Sequence, residues 1–376
     1  MRLSPRLSLF LTLAWTLVLF GGWALLSEMT SEAAPPAYDP GLEFKVLGHI
    51  PVGDDPRGIA VVGDKVYVAN HDDDTISVIN ATTLTVTQVI SAGISNPCSM
   101  AYNPNNGYLY VTNRPDSGNG TVAVISPTTG LTVTNPIGVE EKPTGIAYNP
   151  HDHCMYVAMN YASGDVLVIS GTSVIDTVDD SSHNFFWPAH IAVKEASNLL
   201  YVTNESSVSV INGSTREVTK SIPLGLQDLW GIAVNQSTGY VYAAPTSSGD
   251  QLGVINPDDT YTVTEKLVPG AALRMVAVDP SQNLVFVTQD DTNTTGSSSS
   301  HDDPPTPQME KVFVYDPETG DWIDELEITV QQDPERGIAF DPVRHRLYVS
   351  NRRSDTVTVI QTIRKVYLPV VMKSFS

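Results

Sequence analysis

The sequence predicts an all-β fold, a seven-bladed β-propeller of four-stranded blades whose N-terminal strand closes the last blade. Three observations predict it. First, a Tyr-Val phrase recurs, often followed by a small residue and Asn, at Tyr67, Tyr110, Tyr156, Tyr201 and Tyr348, with weaker copies at Tyr242 and Phe286. Second, the steps between these aromatics are 43, 46, 45, 41, 44 and 62 residues, and all but the last suit four-strand propeller units. Third, Phe44 to Gly53 reads like the last strand of a unit yet precedes the first complete one, while the final unit shows only three clear strands, ending near Ile360. Joining the two removes an exposed sheet edge.

The elements of a unit follow in order. About ten residues before each aromatic lies a Gly-Ile-Ala-like strand, clearest at Gly58, Gly145, Gly231 and Gly337, with looser forms at Ser99, His190 and Met275. The Tyr-Val strand comes second. The third alternates apolar residues, as in Ile76 to Ile79, Val122 to Ile125 and Val357 to Ile360. A threonine-rich alternating strand comes fourth, such as Leu84 to Thr87. Asn-Pro and Asp-Pro pairs at 103, 149, 279 and 341 punctuate the turns.

Composition narrows the function. The chain has 42 acidic and 21 basic residues, a formal net charge of −21, which argues against a nucleic-acid partner bound through counterion release. At 41% hydrophobic it can build a core and is not an acidic disordered tail. Two cysteines exclude a disulfide scaffold and a four-cysteine zinc site. Cys98 and Cys154 fall at opposite ends of their blades, so both are expected to be unpaired and buried. No Gly-x-Ser-x-Gly elbow supports nucleophilic catalysis.

Arg2 and Arg6 precede an apolar run from Leu7 to Leu26, and Ser31 and Ala33 form a small-x-small site before Ala34. This is the layout of a secretory signal. The run, about 20 residues, is also long enough for an uncleaved membrane anchor. Either way the remainder is expected outside the cytoplasm: secreted, periplasmic or at the cell surface. The expected organisation is a signal peptide or anchor over 1–33, a linker over 34–43, the propeller over 44–361 and a C-terminal tail over 362–376.

On these repeat phrases the chain resembles the YVTN-repeat β-propeller family from Phe44 to Ile360. The resemblance implies a secreted or cell-surface protein whose function sits on loops rather than on the scaffold.

Aligning the units places Arg57, Cys98, Thr144, Ala189, Trp230, Arg274 and Arg336 at one equivalent position, which in a ring surrounds the mouth of the central channel. Arginine offers a fork of donors to a carboxylate or phosphate, and Trp230 a stacking face. The bland alternative pairs these arginines with nearby acids such as Asp54, Asp55, Asp333 and Glu335. His190 stands one position inside the ring, after the aromatic segment Phe185-Phe186-Trp187-Pro188. It is read as a packing residue or a ligand group. His71-Asp72-Asp73-Asp74 is read as a solvated turn, and His151 and His153 around Asp152 as a weak metal pattern on the opposite face.

The insertion Gln289 to Glu310 makes the 62-residue step. Within it Asp291, Asn293, Thr295, Gly296 and Asp302 fall at calcium-loop positions 1, 3, 5, 6 and 12. Thr at position 5, Asp at position 12 and the lack of flanking helices weigh against calcium. No other cofactor is expected.

The reading is a monomeric extracytoplasmic scaffold that presents one loop-rich face to a protein or small anionic ligand. It expects no catalysis, no nucleic acid, and membrane contact only through an uncleaved N-terminal segment. Two alternatives stand: a channel-mouth enzyme of lactonase or lyase type, and a structural surface-layer component.

Overall fold

The structure is a computed structural model that describes residues 42–178, 185–246, 251–258, 263–267, 272–290, 311–323, 328–330 and 336–364. The signal or anchor, the calcium-loop residues Asp291, Asn293, Thr295 and Asp302, and the tail from 365 lie outside the described residues. Seven antiparallel sheets form seven blades in a ring. The first blade pairs Pro56–Val62, Lys65–Asn70, Thr75–Asn80 and Thr85–Ile90 in chain order, and the next four blades repeat that order. In the sixth, two short pieces, Asp321–Trp322 and Ile328–Thr329, both pair with Lys311–Asp316 at the outer edge. Among the described residues no helix is long and apolar enough to cross a membrane.

The last blade closes as the sequence predicts. Leu42–Pro51 lies antiparallel to Thr356–Arg364, from Leu42 opposite Arg364 to Pro51 opposite Thr356. This ladder takes in Leu42 and Glu43, assigned above to the linker, and Thr362 to Arg364, assigned to the tail. Backbone pairing continues past the apolar pattern that marked those limits.

Each letter of the repeated phrase has a physical job. The aromatics Tyr67, Tyr110, Tyr156, Tyr201, Tyr242, Phe286 and Tyr348 are all fully buried between blades. The Tyr67 and Tyr110 hydroxyls donate to the carbonyls of Pro127 and Gly171 in the next blade. Thr112 and Thr203 each hold two blades together. Their Oγ1 accepts the Ser99 or His190 amide of their own blade. The same hydroxyl contacts the carbonyl of Thr144 (2.9 Å) or Trp230 (2.8 Å) in the following blade. The asparagine ties its strand to the third one: Asn70 Nδ2 donates to Thr75 and Ser77, and Asn351 Nδ2 to Thr356 and Thr358.

The Gly-Ile-Ala glycine is where the next blade comes closest. A Cβ on Gly58 would stand 2.7 Å from the Cys98 carbonyl oxygen, and one on Gly145 2.5 Å from that of Ala189. Gly231 meets the Arg274 carbonyl in the same way, and Gly337 meets that of Arg57, across the point where the ring closes. Thr203→Val keeps the shape but removes both bonds of the hydroxyl. It is expected to lower the unfolding free energy by about 1–3 kcal/mol, read as a lower urea midpoint at an unchanged slope.

Candidate binding site at the channel mouth

The start of the first strand of a blade carries the residue that the sequence alignment placed at the ring position. The register slips there in five blades, between Pro56 and Ile59, Pro97 and Ser99, Pro143 and Ile146, Leu229 and Ile232, and Leu273 and Val276. A bulge of this kind re-aims the residues within it. These slips contain Arg57, Cys98, Thr144, Trp230 and Arg274. Two residues ahead of the equivalent position, Asp55, Asn96, Lys142, Trp187 and Asp228 all have left-handed backbone, with φ from 45° to 55°.

The mouth is built around arginine. Arg57 is nearly buried and donates through Nε (3.0 Å) and Nη2 (2.6 Å) to Oδ2 of Asp55, itself 1% exposed. Nε of buried Arg352 lies 3.2 Å from the other Asp55 oxygen. Burial alone would raise the Asp55 carboxyl, but Arg57, Arg336 and Arg352 override it and hold the pKa down at about 2. The local-pairing alternative therefore describes Arg57.

Arg274 stands with its guanidinium carbon 4.9 Å from the centroid of the Trp230 ring, a cation–π distance. His190 packs on Trp230, with ring centroids 5.6 Å apart and tilted by 59°. Trp230 thus contacts both a cation and an imidazole, and holds Arg274 in place.

Two arginines at the mouth escaped the sequence reading. Arg114 and Arg352 each follow the asparagine of the repeated phrase, one position past the strand end. Burial lowers the Arg114 pKa, with Arg57 and Arg274 adding to the effect and Cys98 and Asp116 opposing it. Its Nη2 reaches Oδ1 of Asn160 at 3.5 Å, and its buried Nε has no hydrogen-bond partner among the described residues. Arg114, Arg274 and His190 belong to the second, sixth and fourth blades, which are not neighbours. His190 nevertheless feels the charges of Arg274 and Arg114, and Arg114 that of Arg274, which places all three on the same end of the ring.

Burial, with Arg274 and Arg114 beside it, lowers the His190 pKa to about 4. Burial and then Arg57 bring His71 to about 4 as well. His71 is 3% exposed, with Nδ1 3.2 Å from the Pro97 carbonyl oxygen. The solvated turn expected over His71 to Asp74 is corrected at this residue, because packing against the next blade covers the ring. Both histidines are thus neutral when folded and bind a proton more readily when unfolded. Stability is expected to hold above pH 6.5 and to fall as pH drops from 6.5 towards 4. Urea midpoints measured across that window check this, and His71→Gln with His190→Gln should flatten the fall.

Asp55, His71 and Asp72 place one ligand atom each within 4.8 Å of one another, the one such trio among the described residues. The donor set suits a cation, but its surroundings do not, since Asp55 already serves Arg57 and Arg352. On the opposite face the histidine pair is not brought together. His153 Nδ1 bonds the Tyr148 hydroxyl, His151 Nε2 bonds the Glu195 carbonyl, and Asp152 pairs with Arg216. Cys98 and Cys154 are free and buried.

No family model matches the chain, and no curated protein matches it. Solved structures do. Kuenenia stuttgartiensis hydrazine synthase is similar with a TM-score of 0.62 at 14% identity, over 89% of this chain and 98% of that one. The Cps50 (Swd1) β-propeller domain of Myceliophteria thermophila is similar with a TM-score of 0.66 at 12% identity, over 86% of this chain and 100% of that one. At such identities the likeness is one of fold. The class is therefore a seven-bladed β-propeller.

Proposed function

We propose that this chain is an extracytoplasmic binding scaffold of the YVTN-repeat type whose channel mouth holds a small anion. The observation that carries the reading is Arg114. Its guanidinium feels the charges of Arg57 and Arg274, and its hydrogen bonding among the described residues is one 3.5 Å contact to an amide. A desolvated cation beside like charges is costly unless an anion completes it. A carboxylate or phosphate supplies the acceptors that a guanidinium fork takes in pairs.

The other parts have supporting roles. Trp230 holds Arg274 in place before a ligand arrives, while Asp55 engages Arg57 and Arg352 and offsets part of the charge that an anion would meet. Export is supported by Arg2, Arg6 and the apolar run Leu7 to Leu26, and the YVTN kinship by the repeated phrases. The test is thermal unfolding of the full chain in increasing phosphate or acetate, with ionic strength balanced by chloride. A melting temperature that rises and saturates supports the reading. A rise matched by chloride alone, or no rise, contradicts it.

A further inference from the structure

The left-handed position that precedes five of the ring residues points to the kind of ligand. Where the backbone must adopt φ near +50°, Asp and Asn are the cheap choices and bulky side chains are outliers. Asp55, Asn96 and Asp228 follow that rule. Lys142 (φ 53°) and Trp187 (φ 55°) break it, in adjacent blades. These two touch each other, with the Lys142 ammonium 5.3 Å from the centroid of the Trp187 ring. Phe186 and Trp187 are 43% and 37% exposed, although large apolar side chains elsewhere in the fold mostly lie in the core. Two strained, costly residues are thus kept as a pair that is partly open to solvent.

The pair adjoins the channel cations. Asn160 is buried and joins them: Arg114 donates to its Oδ1, its Nδ2 donates to the carbonyls of Trp187 (3.3 Å) and Pro188 (3.2 Å), and its amide donates to the Lys142 carbonyl. Asn160 therefore ties the Arg114 guanidinium to the backbone of the two turns that carry Lys142 and Trp187, whose ammonium and half-exposed indole meet at the surface beside it.

Resting on the anion-binding reading above, we propose that the ligand is a carboxylate carried on a ring with an apolar face. The ring lies on Trp187 and the carboxylate lies between Lys142 and Arg114. An indole face takes such rings by stacking, whether they are aromatic or present the C–H face of a sugar. A uronic sugar and an aromatic acid share this chemistry, and the test tells them apart.

Galacturonate, benzoate, acetate and neutral galactose are titrated into the full chain and into Trp187→Asn. Asparagine relieves the backbone strain, so the variant should melt at the same or a higher temperature. In the wild type at least one ring carboxylate should bind about fivefold or more tighter than acetate, with galactose weaker than either acid. Trp187→Asn should abolish that advantage and leave acetate binding as it was. Galacturonate favoured over benzoate makes the ligand a uronic sugar, the reverse makes it an aromatic acid, and either upholds the proposal. Ring acids no tighter than acetate, or an advantage that survives in Trp187→Asn, overturns it and leaves the anion site standing. No binding of any anion overturns both.

Discussion

Asp55→Asn is expected to destabilise the protein by about 3–5 kcal/mol while tightening its hold on anions. The cost follows from burial. Asp55 is 1% exposed and serves Arg57 and Arg352, and removing one partner of a buried ion pair leaves the other charge uncompensated. Asparagine keeps the size of the side chain and tolerates the left-handed backbone at this position (φ 49°), so the change isolates the charge. The pH dependence must also change. A carboxyl whose folded pKa is about 2, against 3.8 ordinarily, contributes its full stability above pH 4 and loses it as pH falls towards 2. The variant should lack that component. Urea unfolding at pH 7 and at pH 3 measures both effects. A loss under 1 kcal/mol at pH 7 would mean that the arginines do not depend on Asp55.

Arg114→Gln acts in the opposite sense. It removes a desolvated cation that sits near Arg57 and Arg274, so stability should hold or rise slightly. Affinity should fall, because charge-assisted hydrogen bonds contribute about 1.5–3 kcal/mol, or about 10- to 100-fold in binding. Calorimetric titration with phosphate or acetate reads the loss. Glutamine keeps a donor for Asn160, so a fall in affinity without a fall in melting temperature reports the charge itself.

Much of this architecture was legible before the structure. The blade count, the strand order and the closing strand follow from a period that backbone pairing enforces, and Phe44 to Gly53 stands out because a propeller strand without a blade has no stable place. The equivalence of Arg57, Cys98, Ala189 and Arg274 was legible too, since each stands directly before the residue that opens a first-strand phrase (Gly58, Ser99, His190 or Met275), and their carbonyls meet the glycine that opens the phrase of the preceding blade. Arg114 and Arg352 were missed because they lie one residue beyond the strand ends that anchored the alignment. The position after the phrase's asparagine was the available signal. His71 was misread because its burial comes from the Pro97 turn of the next blade, and an acidic run looks solvated when read alone. The significance of Lys142 and Trp187 depends on φ, which their sequence does not display.

The central claim is that converging arginines make the channel mouth an anion site. Calorimetric titration of phosphate into the full chain, Asp55→Asn and Arg114→Gln, in one buffer at fixed ionic strength, tests it most directly. The account predicts one saturable site with affinities ranked Asp55→Asn tightest, wild type next and Arg114→Gln weakest, the last by at least about tenfold. Equal affinities in the three proteins, or no saturable binding in the wild type, would contradict it.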